Sequence, residues 1–338
     1  MSKSQFLSNC TADAMRDAAA TLQAGNLVAF PTETVYGLGA DACNADAVAR
    51  IYSVKGRPSN HPLIVHVASM QRIGDWAKDI PEYAIKLARD FWPGPMTLVL
   101  KRSELAQDFI TGGQETVGLR VPDHVVALSL LEAFENIGGK GVAAPSANRF
   151  GQVSPTTAAA VSEELGEHLD SNDQIIDGGA CTVGVESTII ACTGDAPRIL
   201  RPGAITVQMI EASTGIQVAK TVISPSFDAV NNSTEISSDE LIRVSGSLEN
   251  HYAPAAKVLL CEIPNAGQGF IALASIQTPP GVIRLASPRD DEEFAQILYS
   301  ALRQADIEGL TEVVVTQPIG IGIAVAIRDR LVRAANEK

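Results

Sequence analysis

The sequence predicts an α/β protein with two domains, a large one built on a mixed sheet and a small one built on an open parallel sheet. From about residue 12 to 210, short apolar runs alternate with amphipathic stretches, glycine and proline, which is typical of strands and helices in turn. The same alternation returns from about residue 256. The chain has 338 residues, more than one hydrophobic core usually organises, so two domains are expected.

The first region contains two helices and a series of strands. Ala14, Ala18 and Leu22 lie on one face of an opening helix. Helical spacing recurs in residues 123–134, where Asp123 is expected to be the N-cap. Apolar runs predict strands at LVAF (27–30), PLIVHV (62–67), TLVLK, TVGLRVP, GVAAP, QIID and STIIA. Between PTET and the next helix, YGLGADA is expected to form a glycine-bearing turn.

A polar segment separates the second region from the first. Ser, Asn, Thr and acidic residues dominate NNSTEISSDE, and hydrophobic periodicity fades there, as in a linker. We therefore predict a first domain at residues 1–210, a linker at 211–255 and a second domain at 256–338. Strands are predicted in KVLLCEI, FIALAS, GVIRLA and TEVVVTQPI, with a helix through Phe294 and Leu298 and a closing helix in GIGIAVAIRDRLVRAA.

Composition excludes several classes of protein. There are 26 Lys and Arg against 39 Asp and Glu, a net charge of −13, and so acidic a surface repels a phosphate backbone. No stable nucleic-acid binding is therefore expected. No apolar run reaches membrane-spanning length and MSKSQFLSNC lacks a signal core, so we expect a cytoplasmic protein without membrane contact. Five scattered cysteines without a C-x-x-C pair indicate reduced thiols and no protein-bound metal.

Polar side chains stand where strands are predicted to end. Thr34 leaves a strand in PTET, where its hydroxyl can hold a small polar ligand or serve ordinary turn chemistry. His66 alternates with apolar neighbours, so its ring is expected to point at a substrate, whereas the ring of His61 is expected to be structural. Arg120 lies inside a strand, and a buried arginine needs an anion, either a substrate carboxylate or a structural Asp or Glu.

The K-x-R step before the PLIVHV strand suits a polyphosphate. Lys55 supplies a point charge and Arg57 a bidentate fork. Gly56 between them lets the backbone approach a ligand closely. The alternative is a solvated surface pair, which the neighbouring buried-type strand makes less favourable.

Hydroxyls and an amide further along the chain suit phosphate or ribose. Ser146 and Asn148 lie on one side of an extended segment, and Ser154 follows in the same motif. Ser187 stands at a strand entry and Arg201 before a Pro-Gly turn. The P-loop, the protein-kinase motifs and H-E-x-x-H do not occur.

Seven segments taken together resemble the YrdC-like domain of threonylcarbamoyl-AMP synthases. They are PTETVYGLGADA, KGRPSNHPLIVHV, WPGPMTLVL, TVGLRVP, APSANRFGQVSPT, DGG…GVESTII and LRPG, in this order over the first 200 residues. SGSLENHYAPAAKVLL and GIGIAVAIRDRLVRAA resemble the linker and C-terminal domain of the long form of these enzymes. The resemblance implies a YrdC-like domain with a large twisted mixed sheet, followed by a small Rossmann-like α/β domain.

The resemblance also implies an activity. Members of the family make L-threonylcarbamoyl-AMP from L-threonine, bicarbonate and ATP, with Mg²⁺ accompanying ATP and pyrophosphate released. The product serves threonylcarbamoyladenosine (t6A) formation at position 37 of tRNAs that read codons starting with A. Downstream threonylcarbamoyl-transfer proteins are the implied partners.

Site residues follow from the resemblance motif by motif. The implied L-threonine residues are Thr34, His66, Arg120, Ala144 and Ser187. The implied ATP residues are Lys55, Arg57, His61, Thr116, Ser146, Asn148, Ser154, Arg201 and Tyr252, of which Lys55 and Arg57 would be catalytic. Residues 245–250 read SGSLEN, where the family often has a Pro-Gly-Met-Lys-like stretch, so substrate contacts there are left open.

Two other functions are weighed. A non-catalytic RNA-binding or ribosome-associated module would need a basic face with aromatic residues, but the charge is −13 and aromatics make up 5%. A carbamoyl-adenylate-forming maturation enzyme shares the first domain but carries cysteine-rich zinc modules, which this sequence lacks.

Overall fold

The computed structural model describes the backbone of residues 7–8 and, in full, residues 11–219, 242–246, 252–260 and 262–336. Most of the predicted linker lies outside these residues. Within them the chain forms two sheets, each with its own helices. No helix in this part of the chain is long and apolar enough to cross a membrane.

The first sheet has ten strands within the described residues, and it is mixed. In chain order they are β1 (Leu7–Ser8), β2 (Val28–Phe30), β3 (Gly37–Asp41), β4 (Ile64–His66), β5 (Met96–Lys101), β6 (Thr116–Arg120), β7 (Val142–Ala143), β8 (Gln174–Ile176), β9 (Thr188–Ala191) and β10 (Arg198–Arg201). Across the sheet the order is β1-β8-β2-β3-β7-β4-β6-β5-β9-β10. Strand β4 runs parallel to β6 and antiparallel to β7, and such combinations confirm the predicted mixed sheet.

Helices cover both faces of this sheet. They are α1 (Ala12–Gln23), α2 (Ala45–Lys55), α3 (Ile73–Trp76), α4 (Glu82–Phe91), α5 (Asp108–Thr111), α6 (Val125–Asn136), α7 (Ala158–Leu165) and α8 (Val207–Thr214). Successive side chains of a strand point to opposite faces. Val28 and Phe30 accordingly pack with α1 and α6, while Leu27 and Ala29 belong to the larger core cluster that includes α2 and α4.

Two local predictions were wrong. Helix α6 is capped by His124 rather than Asp123, because the ring Nδ1 of His124 accepts a backbone N–H of the first turn at 3.2 Å. The segment Gly37–Asp41, predicted as a turn, is the buried strand β3. Its glycines make room for neighbours, since a Cβ on Gly39 would lie 2.9 Å from the ring of Phe30.

The second sheet is small and parallel. Its strands are β11 (Lys257–Leu260), β12 (Gly269–Ile271), β13 (Ile283–Ala286) and β14 (Glu312–Val315), in the order β11-β14-β12-β13. All of its pairings are parallel, as the sequence predicted. Helices α9 (Asp291–Ile307) and α10 (Ile323–Ala335) pack on the sheet and against each other.

The two sheets belong to regions that are in close contact. Val35, Val153 and Val185 of the first region share one buried apolar cluster with helix α9 of the second. Gly184 adopts a positive φ of 81° against α9, so closely that a Cβ there would lie 2.3 Å from the Cα of Gln296. The loops that carry these residues therefore rest directly on the second region.

Candidate active site

A cleft with about 530 Å³ of space, part of it open to solvent, lies at the ends of strands of the first sheet and reaches toward the second region. Nine of the fourteen predicted site residues line it: Thr34, Arg57, His66, Arg120, Ala144, Ser146, Ser187, Arg201 and Tyr252.

Strand register brings the centre of the cleft together. Strands β4 and β6 are parallel neighbours, and His66 is paired with Arg120 at their last residues. Ala144 follows β7, which pairs with the other edge of β4. Because the carboxyl ends of neighbouring parallel strands meet at one edge of a sheet, His66 and Arg120 face one space. Strand β7 is antiparallel to β4, so Ala144 lies beside the start of β4, where its backbone N–H donates to the carbonyl of Ile64 at 2.9 Å.

Arg120 is buried and already has a carboxylate partner. Its Nη2 lies 2.6 Å from Oε1 of Glu33, and its Nη1 donates to Oγ1 of Thr34 at 2.9 Å. Its Nε donates to the carbonyl of Gly94 at 3.3 Å. The structural acid that the sequence left open is therefore present, and Arg120 still lines the cleft beside it. The charge of Arg120 is compensated before any ligand binds.

His66 presents a neutral ring to the cleft. Burial, together with the charge of Arg120, lowers the pKa of His66 to about 3. The ring stands edge-on to Phe30, with centroids 6.0 Å apart. Among the described residues, Nδ1 of His66 has no hydrogen-bond partner. This ring nitrogen is buried.

Arg57 and Arg201 differ from Arg120 in their partners. Arg57 donates to the carbonyl of Pro62 at 3.0 Å and to Oγ of Ser245 at 3.1 Å. Arg201 donates to the carbonyl of Ser187 at 2.9 Å and to that of Ser245 at 2.9 Å. Neither arginine makes an ion pair with a described residue, and burial lowers the pKa of Arg57 to about 10. Two buried positive charges thus face the cleft with neutral hydrogen-bond acceptors as direct partners, and the carboxylate of Glu186 acts on Arg201 without forming an ion pair with it.

Lys55, predicted to be a catalytic and ATP-binding residue, does not line the cleft. Its Nζ donates to the carbonyl of Ser146 at 2.6 Å and to that of Asn148. Helix α2 ends at Gly56, whose left-handed φ of 63° turns the chain after the lysine. Lys55 therefore lies under the segment that carries Ser146, and burial lowers its pKa far below the usual value.

The family comparisons cover the chain almost from end to end. The family model described as "Telomere recombination" matches residues 20–203, and the one described as "Threonylcarbamoyl-AMP synthase, C-terminal domain" matches residues 205–336. The threonylcarbamoyl-AMP synthase of Pyrococcus abyssi is 40% identical over an alignment of 337 positions, gaps included, that covers 95% of this chain and 94% of that enzyme. The chain belongs to the threonylcarbamoyl-AMP synthase family.

Other relatives agree with this assignment. The threonylcarbamoyl-AMP synthase of Bacillus subtilis is 38% identical, over 94% of this chain and 92% of that enzyme. The solved structure of Pyrococcus abyssi Sua5 complexed with L-threonine matches with a TM-score of 0.83 and 37% identity, over 97% of both chains. The chain is thus a nucleotidyltransferase of the t6A pathway.

Three further predicted residues of this threonylcarbamoyl-AMP synthase family member lie close to the first cleft without lining it. Thr116 lines a second cleft of about 300 Å³, which shares Ile64 and Ser245 with the first. Ser154 donates to Oε1 of Glu186, a residue of the first cleft, at 2.6 Å. The amide nitrogen of Asn148 donates to the carbonyls of Arg149 and Gln152, and among the described residues its Oδ1 has no partner.

The ring of His61 makes a structural packing contact, the role that the sequence predicted for it. The ring packs edge-on against Phe150, with centroids 5.5 Å apart, and the backbone carbonyl of His61 accepts the hydroxyl of Tyr52 at 2.9 Å. His61 is therefore a structural neighbour of Arg57 rather than a residue of the cleft lining.

Tyr252 both lines the cleft and packs between the two regions. It is 1% exposed, stacks on Tyr299 of α9 with centroids 5.7 Å apart, and lies under the guanidinium of Arg330 at 5.2 Å. Ser245 and Gly246, from the segment that departs from the family pattern, also line the cleft. The remainder of that segment, 247–250, lies outside the described residues.

Sequence reasoning missed two carboxylates and assigned Ser245 no role. Glu33 and Glu186 stood inside the quoted motifs PTET and GVEST, but neither was given a role. Their partners, Arg120 and Arg330, lie far away in the chain, so only the fold reveals the pairs. In the described residues, no group of three or more His, Cys, Asp or Glu is placed to hold a metal ion.

Proposed function

We propose that this chain condenses L-threonine, bicarbonate and ATP into L-threonylcarbamoyl-AMP and releases pyrophosphate. The charge arrangement of the cleft is the observation that carries the proposal. Arg57 and Arg201 have no ion-pair partner among the described residues, whereas Arg120 is compensated by Glu33. Uncompensated buried cations favour a polyanion, and a compensated one favours a ligand without net charge.

L-threonine fits the compensated half of the cleft. As a zwitterion it offers a carboxylate to Arg120 and an ammonium to the side of Glu33, so the net charge of this half does not change. The neutral ring of His66 does not repel the ammonium. We assign threonine to Thr34, His66, Arg120, Ser187 and the backbone of Ala144. The complex of Pyrococcus abyssi Sua5 with L-threonine supports threonine as the ligand.

ATP fits the uncompensated half and the second cleft. Arg57 and Arg201 would neutralise phosphate oxygens. The second cleft is largely apolar, with Leu63, Val99 and Ile189 in its lining, and this suits a flat adenine ring. The other ATP residues remain His61, Thr116, Ser146, Asn148, Ser154 and Tyr252. Lys55 would act indirectly, by holding the segment of Ser146 and Asn148 in place.

Mg²⁺ enters this proposal as part of the substrate. Because the described residues offer no cluster of metal-binding side chains, the ion would be held by the triphosphate and would arrive as MgATP.

The chemistry needs no nucleophile from the protein. Bicarbonate takes up the proton that the threonine ammonium loses and gives CO2 and water. The resulting amine attacks CO2, releases one further proton to solvent and becomes a carbamate. A carbamate oxygen then attacks the α-phosphorus of ATP, the bond to the β-phosphate oxygen breaks, and pyrophosphate leaves. The cleft holds the reactants in line, neutralises charge on the phosphates through Arg57 and Arg201, and limits access of water to the labile carbamate.

We propose that the product goes to downstream threonylcarbamoyl-transfer proteins for t6A at position 37 of tRNAs that read codons starting with A. The charge of −13 supports delivery of a small molecule rather than direct binding of tRNA. The cytoplasmic location expected from the sequence stays a prediction.

The proposal is tested by leaving out one substrate at a time. Pyrophosphate release from ATP should require both threonine and bicarbonate, measured in buffer freed of dissolved CO2. Carbamoyl phosphate in place of both should give none, which separates this activity from that of a carbamoyl-adenylate-forming enzyme. Release that continues unchanged without threonine or without bicarbonate would contradict the proposal.

A further inference from the structure

One buried carboxylate connects the cleft to the second region. Glu186 lines the cleft, and its Oε1 accepts the hydroxyl of Ser154 at 2.6 Å. Its Oε2 accepts Nε of Arg330 at 2.8 Å and the hydroxyl of Tyr299 at 2.9 Å. Arg330 belongs to α10 and Tyr299 to α9, so each oxygen faces a different region of the protein.

The residues on the cleft side of Glu186 are those assigned to substrates. Ser187 follows it directly in the chain, and Ser154 bonds to its side chain. Ser187 in turn accepts Arg201 through both its carbonyl and its hydroxyl, at 2.9 and 3.1 Å. A displacement of the Glu186 carboxylate would therefore move Ser154, Ser187 and Arg201 together.

The other side of Glu186 is held rigidly. The side chain of Arg330 is 0% exposed and also donates to the carbonyl of Pro202 at 3.0 Å. Burial opposes ionisation of Glu186, but Arg330 and then Arg201 outweigh it and lower its pKa to about 2. The carboxylate is thus ionised at neutral pH, which makes Ser154 the donor of their hydrogen bond.

We propose that Arg330 and Tyr299 are positioning residues for the reaction, which hold Ser154 and Ser187 in place through the carboxylate of Glu186. The inference rests on the proposed function, in which the second region would hold substrate-binding residues in position. A misplacement of about 1 Å in a catalytic site costs on the order of 100-fold in rate, so the support of these groups matters.

The gentlest test removes a single hydroxyl. Tyr299→Phe keeps the ring that packs on Tyr252 but deletes one hydrogen bond to Glu186. We expect kcat/KM for ATP to fall roughly tenfold, mainly through KM, with little change in Tm. Arg330→Met should have a larger effect, on the order of 100-fold, in protein that still folds.

A double-mutant cycle separates positioning from general stability. Ser154→Ala and Tyr299→Phe both act through Glu186, so the loss in the double variant should be smaller than the product of the single losses. Arg284→Met is the matched control, because Arg284 of β13 donates to the carbonyls of Ala272 and Leu273, at 2.6 and 2.8 Å, within the second region. It should lower Tm and leave the KM for ATP unchanged.

Failure of this inference differs from failure of the proposed function. Wild-type protein without threonine-dependent pyrophosphate release would overturn both. With active wild-type protein, three results would overturn the positioning role alone. They are a wild-type KM in Tyr299→Phe, losses in the cycle that multiply, and an Arg284→Met variant whose KM rises as much as that of Arg330→Met.

Discussion

The two halves of the cleft contain the same kind of residue in opposite electrostatic states. Arg120 faces Glu33 at 2.6 Å, whereas Arg57 and Arg201 have carbonyls and hydroxyls as partners. Removing a buried arginine that pairs with a carboxylate leaves an unpaired buried charge and destabilises the fold. A buried arginine with neutral partners is instead stabilised when an anionic ligand binds. The difference indicates which half serves an amino acid and which serves a polyphosphate.

The largest expected effect is a difference in the free energy of unfolding between arginine variants of the two halves. Arg120→Met leaves Glu33 buried and uncompensated, so the free energy of unfolding should fall by about 3–5 kcal/mol. Arg57→Met removes a charge that has no ion-pair partner among the described residues, so without ligand its free energy of unfolding should stay the same or rise. Denaturant unfolding of both variants measures this. Equal losses would show that Arg57 is compensated in the fold as Arg120 is.

Activity should respond in the reverse sense. Arg57→Met, although folded and stable, should lose about 100-fold or more in kcat/KM for ATP, because a charge-assisted contact with phosphate is lost. Arg72→Met is the matched control: Arg72 pairs with Asp75 and Glu135, and none of these three residues lines either cleft. Arg57→Met with the same kcat/KM as this control would remove Arg57 from the phosphate site.

A conservative change sharpens the comparison in the threonine half. Arg120→Lys keeps the charge beside Glu33 but loses the bidentate fork. Threonine binding should weaken by roughly 1–3 kcal/mol while ATP binding changes little, as titration calorimetry would show. Unaltered threonine affinity in the folded variant would make Arg120 a purely structural partner of Glu33.

The smallest effect is a pH dependence of stability in the same half. The folded pKa of His66, about 3, lies below the value of about 6.5 expected for the unfolded chain. Its contribution is therefore complete above pH 6.5 and is lost as the pH falls toward 3, by about 1.4 kcal/mol between pH 7.5 and 5.5.

His66→Gln should lack this part of the acid dependence. The pKa values of His61 and His124 are also lowered by burial, so the difference between wild type and His66→Gln is the quantity to measure. Identical pH profiles of unfolding would mean that His66 is accessible to protons in the folded protein.

Sequence reasoning located the cleft but not its internal partners. His66 and Arg120 were predictable, because each closes a strand and parallel strands bring such ends together. Lys55 and Arg57 look equivalent in a K-x-R step, yet the end of α2 at Gly56 places one under the site and the other in it. Such a distinction depends on backbone direction, which the local pattern does not contain.

Contacts between residues far apart in the chain could not be predicted from local sequence patterns, for the same reason. Strand β3 was predicted as a turn because its glycines resemble turn residues, although they serve close packing on Phe30. The partners of Glu33 and Glu186 are set by the register of the sheet and by the docking of the second region. No spacing rule within one segment reveals either pair.

The central claim is that the cleft joins a threonine carbamate to the nucleotide, and one labelling measurement tests it directly. The protein is incubated with threonine, ATP and bicarbonate, of which only the bicarbonate carries carbon-13. The mass of the adenylate product is then measured by mass spectrometry. The account predicts threonylcarbamoyl-AMP that is heavier by the label. A product of threonine and AMP without the label would mean that threonine itself attacks ATP, and would contradict the account.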